Sequence, residues 1–262
     1  MPLQLAFEAT GDGPPVVILH GLFGSSRNWR SVAWALATHH RVLCVDLRNH
    51  GRSPWAASMS YLEMAEDVRM LIESEGLKRP VLIGHSMGGK IAMALALEHP
   101  GAVGRLIVVD IAPVPYADRF TPLLDVMRGI ETQSLSQRAD AMRQMAGRIP
   151  DPAAVGFLMQ NLVARDEHFD WRLNLPAIGA AVSSLSGFPP ALLLRSYRGP
   201  ATLIHGALSD YVQADDLALL AEPFPRLEAV EIAGAGHWVH ADCPAEFLKA
   251  LQLPTATAHC RV

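Results

Sequence analysis

With 262 residues, 50% of them hydrophobic and 18% charged, the chain can bury one large α/β core or two small ones, and one core carrying an insertion is expected. A formal charge of -4 and a pI near 6.2 offer no basic face to nucleic acid, and no Lys/Arg run suits a membrane surface. No segment approaches the roughly 20 apolar residues that span a bilayer, and the first residues lack a charged start followed by an apolar run, so a cytoplasmic location is expected.

In chain order, "LQLAFEA" followed by "TGDGP" reads as an antiparallel edge strand and a turn. "PVVILH" (15–20), "RVLCVD" (41–46), "PVLIGH" (80–85) and "RLIVVD" (105–110) are continuously apolar, as suits strands covered on both faces. Ser60 to Leu77 predicts a helix: Ser60 and Glu63 form a capping box, Ala65, Val68 and Ile72 share a stripe, and Gly76 suits the C-terminal end. After Asp110 the alternation stops, and strand signals return only at "ATLIHG" (201–206) and "LEAVEI" (227–232). The gap repeats apolar residues at helical spacing: Leu123, Val126, Met127 and Ile130; Leu135, Ala139, Met142 and Ile149; Val155, Leu158, Met159 and Leu162. The pattern predicts an α/β fold with a mostly parallel, doubly wound sheet built from 1–112 and 200–262, and a helical cap over 113–199. Met142, Met145 and Met159 suit an acyl pocket or, more simply, the interior of that cap. Cys44, Cys243 and Cys260 are scattered and lack CxxC spacing, which argues against a disulfide framework or a zinc site, so no metal is expected.

The chemistry concentrates at strand ends. Gly84-His85-Ser86-Met87-Gly88 fits G-x-S-x-G between a strand and a helix, a tight corner that lifts the Ser86 hydroxyl out of the sheet and turns the Met87 N–H toward a developing oxyanion. Gly84 to Lys90 also resembles a phosphate-binding loop, but Ile91 stands where that loop needs a hydroxyl to hold magnesium. Upstream, His20-Gly21 ends a strand before a loop, where the Leu22 N–H, or next to it that of Phe23, is the second expected oxyanion donor. A serine alcohol needs a base. Of the eleven histidines, His237 follows the last strand within "AGAGHW", the position expected of that base. His240 follows it, and His259 falls near the chain end.

These residues resemble the α/β-hydrolase superfamily, and more closely its small bacterial esterases of the YbfF type. The resemblance is carried by "HGLFGSSRNW", "VDLRNHGRS", "GHSMGGK", "VVDIAPVPY", "WRLN" and "GAGHWVHAD". It implies hydrolysis of carboxylic esters, extending to acyl thioesters such as acyl-CoA, through an acyl-enzyme and without a cofactor, and a small helical cap after the sixth strand. Lactonase, perhydrolase and carbon–carbon bond hydrolase activities belong to the same kind of site, and a catalytically silent binding protein is the reading of a different class. In most of the superfamily the acid that orients the histidine follows the strand 201–206, in a slot that counts to Ser209, with Asp210 one residue late. In the resembling subgroup the acid ends the strand 105–110. Asp110 is therefore expected to complete the triad, with Asp210 as the alternative and Ser209 as a second partner of the histidine. Asp46, Arg48, Asn49 and His50 are expected to form a buried polar turn, with His50 a further candidate substrate contact. Phe23, Met159, Trp171, Arg172 and Trp238 are candidates for the substrate pocket, Arg172 for an anionic acyl or phosphate group.

Overall fold

A computed structural model describes residues 1–166 and 168–254 of the protein, so Cys260 and His259 lie outside the described residues. The core strands are β1 (Phe7–Thr10), β2 (Pro15–Leu19), β3 (Arg41–Val45), β4 (Val81–His85) and β5 (Arg105–Val109). The helices α1 (Arg30–Leu36), α2 (Tyr61–Ser74) and α3 (Met87–Glu98) alternate with them. The chain then leaves the sheet for α4 (Thr121–Arg128), α5 (Arg138–Ala146), α6 (Pro152–Met159), β6 (Leu162–Arg165), β7 (His168–Trp171) and α7 (Leu175–Ser186). It returns for β8 (Ala201–Gly206), α8 (Ala214–Leu220), β9 (Leu227–Ile232), α9 (Val239–Asp242) and α10 (Pro244–Ala250).

The main sheet runs β1-β3-β2-β4-β5-β8-β9, with β1 antiparallel to β3 and every other pairing parallel. In β2 to β5 every residue after the first is buried, which is why these strands read as unbroken apolar runs. The pleat sends Val17, Leu19, Leu43 and Leu82 into one core with α2, α3 and the insertion. Val16, Ile18, Val42 and Ile83 enter a second core with α1 and α10. The strand order reverses around β2 and β4, so the ends of these two strands open the crevice where ligands of such sheets bind.

Two expectations need correction. The strand ending at Asp110 is the fifth in the chain, not the sixth, so the insertion follows β5. Nor is the insertion wholly helical: β6 and β7 form an antiparallel hairpin, with Leu162 opposite Trp171. Leu162 continued the spacing of Val155, Leu158 and Met159, but α6 stops before it, and the Asn161 side chain donates to the Phe23 carbonyl at 2.8 Å. Met142 is exposed, whereas Met145 and Met159 are buried in the core that the insertion shares with the sheet.

One buried ion pair ties the polar turn after β3 to α2. Arg48 donates to both carboxylate oxygens of Asp67, at 2.6 and 2.8 Å, and the Leu3 N–H completes the cluster at 2.6 Å. Both side chains are nearly solvent-free. Removing Asp67 leaves the buried Arg48 with only a longer contact to the half-exposed Glu63, at 3.4 Å, so Asp67→Ala is expected to cost about 3–5 kcal/mol. Urea unfolding of this variant against wild type checks the figure, and a loss below about 1 kcal/mol would show the pair to be dispensable.

Candidate active site

The corner between β4 and α3 begins with two glycines. A Cβ on Gly84 would stand 2.2 Å from the Gly88 carbonyl oxygen, and one on Gly88 would stand 2.5 Å from that of Leu19. Only bare backbone lets strand and helix meet this closely. Between them Ser86 holds φ 52° and ψ -118°, a conformation costly for a residue with a side chain, so the surrounding structure must enforce it. The corner is pinned by the Ser86 N–H on the Val109 carbonyl at 3.0 Å and the Lys90 N–H on the Ser86 carbonyl at 3.1 Å. Met87 opens α3, so its N–H belongs to the first turn, where helix donors have no partner within the helix.

Asp110 also has a positive φ, 51°, and its side chain is fully buried. Its Oδ1 accepts from the Gly206 N–H at 3.0 Å, and its Oδ2 accepts from the Ser209 hydroxyl at 2.5 Å and from His237 Nδ1 at 2.7 Å. A carboxylate accepts only, so His237 carries its proton on Nδ1 and keeps Nε2 as the basic nitrogen. Ser86 and His237 line the same cavity, of about 750 Å³, at the carboxyl edge of the sheet.

Asp210 lies elsewhere. Its carboxylate is largely exposed and takes a two-point contact from Arg119 at 2.9 and 2.6 Å, which holds it below the usual carboxylate range. Ser209 reaches Asp110 instead of the histidine, so its expected partner is corrected: its hydroxyl donates to the Asp110 carboxylate. Phe23 is corrected too, since its N–H is directed at His50 Nε2 at 3.3 Å. Leu22 remains as the loop's candidate oxyanion donor, while the Phe23 ring lines the cavity.

Of the remaining pocket candidates, Trp238 lines the cavity, with its ring 5.6 Å from that of Phe157. Met159 and Trp171 do not, because both side chains are buried in the shared hydrophobic core. Arg172 is half-buried and lies outside the cavity lining. His50 is fully buried with both ring nitrogens engaged, Nδ1 on the Arg48 carbonyl at 2.8 Å and Nε2 on Phe23, so it holds the loop at Phe23 and does not line the cavity.

Several residues that shape the site escaped the motif reading. Tyr211 stacks on His237, with ring centres 3.9 Å apart and planes 20° apart. Tyr116 donates to the Tyr211 carbonyl at 2.6 Å. His85 Nε2 donates to the His237 carbonyl at 2.9 Å, and His240 stacks on Trp29 at 4.0 Å. The blocks "VVDIAPVPY" and "GHSMGGK" held Tyr116 and His85 in view, but sequence alone could not show what their side chains face. Lys90, the cation of the phosphate-loop resemblance, is buried and donates to the carbonyls of Val114, Ser186 and Gly187 at 2.9, 3.1 and 2.6 Å. Burial without a carboxylate partner pushes its ammonium down to about 7.

A model of the alpha/beta hydrolase fold matches residues 14–244. The chain belongs to this family. It is 36% identical over 253 residues to the sn-1-specific diacylglycerol lipase ABHD11 of Danio rerio, covering 94% of this chain and 79% of the relative. It is 34% identical over 242 residues to the esterase YbfF of Escherichia coli, covering 91% of each. Among solved structures it is similar to a marine microorganism esterase, with a TM-score of 0.92 and 36% identity over 95% of this chain and 98% of the other. The protein is a hydrolase of the α/β-hydrolase type. No helix among the described residues is long and apolar enough to cross a membrane.

The site is crowded with imidazoles that are kept neutral. Burial lowers His50 to about 3 and His240 to about 4, the latter helped by the nearby His237, and it also lowers His20 and His85. Each of these groups binds its proton more readily in the unfolded chain, so the stability it contributes is complete above about pH 6.5 and drains away as the pH falls toward its folded value. Urea unfolding is expected to lose about 1.4 kcal/mol per pH unit for each such histidine as the pH falls below 6. His240→Phe, which keeps a ring against Trp29, should reduce that slope by one proton, and an unchanged slope would contradict the assignment.

Proposed function

We propose that Ser86, His237 and Asp110 form the catalytic triad of a carboxylic ester hydrolase. The observation that carries this reading is the hydrogen bond from His237 Nδ1 to the buried Asp110, made beside a serine held at a strained corner. Ser86 Oγ attacks the acyl carbonyl and passes its proton to His237 Nε2, while the N–H groups of Leu22 and Met87 receive the oxyanion. The imidazolium then gives that proton to the departing alkoxide as the carbonyl–oxygen bond breaks. Water, deprotonated by His237, attacks the acyl-Ser86 ester, and the proton returns to Oγ as the carboxylic acid leaves. Asp110 holds the imidazole in the required tautomer throughout, and Ser209 and Gly206 hold Asp110. Acyl thioesters pass through the same tetrahedral intermediate with a better leaving group, so they fall within the same proposal.

The names carried by the relatives, lipase and esterase, support an ester as substrate. A fluorophosphonate probe should label Ser86 in the folded protein and fail to label Ser86→Ala. Asp110→Asn is expected to slow ester turnover by about ten-thousand-fold, because it imposes the wrong tautomer on the histidine. Asp210→Asn should leave turnover within about tenfold of wild type, losing only a solvent-exposed ion pair. The reverse ranking in p-nitrophenyl ester assays would transfer the acid's role to Asp210.

A further inference from the structure

A second cavity meets the first at Ser86. It has a volume of about 20 Å³ and adjoins the serine, walled also by Met87, Lys90, Ile111, Tyr116 and Leu185. The two cavities share Leu22, Ser86, Phe120 and Tyr211, but His237 and Trp238 line only the large one.

This division assigns the two halves of an ester. The tetrahedral carbon on Ser86 Oγ bears three other substituents: the oxyanion, the leaving group and the acyl chain. The leaving-group atom must stand within reach of the imidazolium that protonates it, so the leaving group occupies the cavity that His237 lines. The acyl chain is left with the side that has no histidine. There the space suits about one water-sized group, which is the size of a methyl. The wall offers nothing to a charged acyl end either, since the Lys90 ammonium already spends its three donors on the Val114, Ser186 and Gly187 carbonyls.

We infer that the acyl group transferred to Ser86 is acetyl-sized, and that the bulk of the substrate is its leaving alcohol or thiol, held in the 750 Å³ cavity. This rests on the triad reading above, and names the class of ester that such a triad serves here. Leu185, buried in the wall of the small cavity, is the residue expected to limit acyl length.

Two isomeric esters separate the sides with wild-type protein. Octyl acetate and ethyl octanoate have the same composition, and the inference requires a higher kcat/KM for octyl acetate. In a p-nitrophenyl series, kcat/KM should fall about tenfold or more from acetate to butyrate, since misfit of a few methylenes in a narrow apolar pocket is worth that much. Leu185→Ala should raise the ratio of butyrate to acetate turnover by about tenfold. Faster turnover of ethyl octanoate, with Ser86 still labelled by fluorophosphonate, overturns the inference and leaves the triad standing. Loss of both labelling and turnover of every ester overturns the triad reading, and the inference with it.

Discussion

A carboxylate with no access to water must find its hydrogen-bond donors within the protein, and Asp110 finds them on two other segments of chain. Gly206 and Ser209 come from the end of β8, and His237 from the loop after β9. Three strand ends are thereby held in one geometry around a single side chain. Each contact is charge-assisted and shielded from solvent, which makes it stronger than its exposed counterpart and costlier to leave unmade. The position of the proposed base, and of everything that packs on its ring, follows from this cluster.

A second set of contacts joins the insertion to the sheet edge, largely through polar side chains that meet backbone carbonyls. Asn161 reaches the Phe23 carbonyl, Asn174 the Asn49 side chain, and Lys90 three carbonyls at the two ends of the insertion. The segments "VDLRNHGRS" and "WRLN" meet at the contact between Asn49 and Asn174. Neither segment supplies an atom to the proposed reaction. They fix the roof of the cavity relative to its floor, and so the space around Ser86.

Much of the fold was legible because burial on both faces leaves a simple signature. Strands β2 to β5 read as apolar runs, and Ser60 with Glu63 marked the start of α2 through a contact confined to one turn. The hairpin of β6 and β7 was not legible, since Leu162 satisfied a helical spacing although the helix ends three residues earlier. Candidate residues divide by the same rule. Ser86 is marked by flanking glycines whose necessity is local, whereas Trp171 and Met159 were apolar residues on an unplaced element, and apolarity alone does not say which side of that element faces a cavity.

What the sequence by itself determined is therefore what depends on near neighbours in the chain: the strand–glycine–serine–glycine–helix corner, the capping of α2, and the placing of His237 after the last strand. Tertiary structure alone decided which carboxylate meets that histidine. Asp110 and Asp210 both follow parallel strands and both carry the right group, but a side chain's partner is set by direction in space. The backbone at Asp110 turns its carboxylate inward onto His237, and one step past Ser209 the chain turns Asp210 outward to Arg119. The two unequal cavities that meet at Ser86 were likewise decided only when residues 23, 116, 185 and 238, remote in sequence, closed around it.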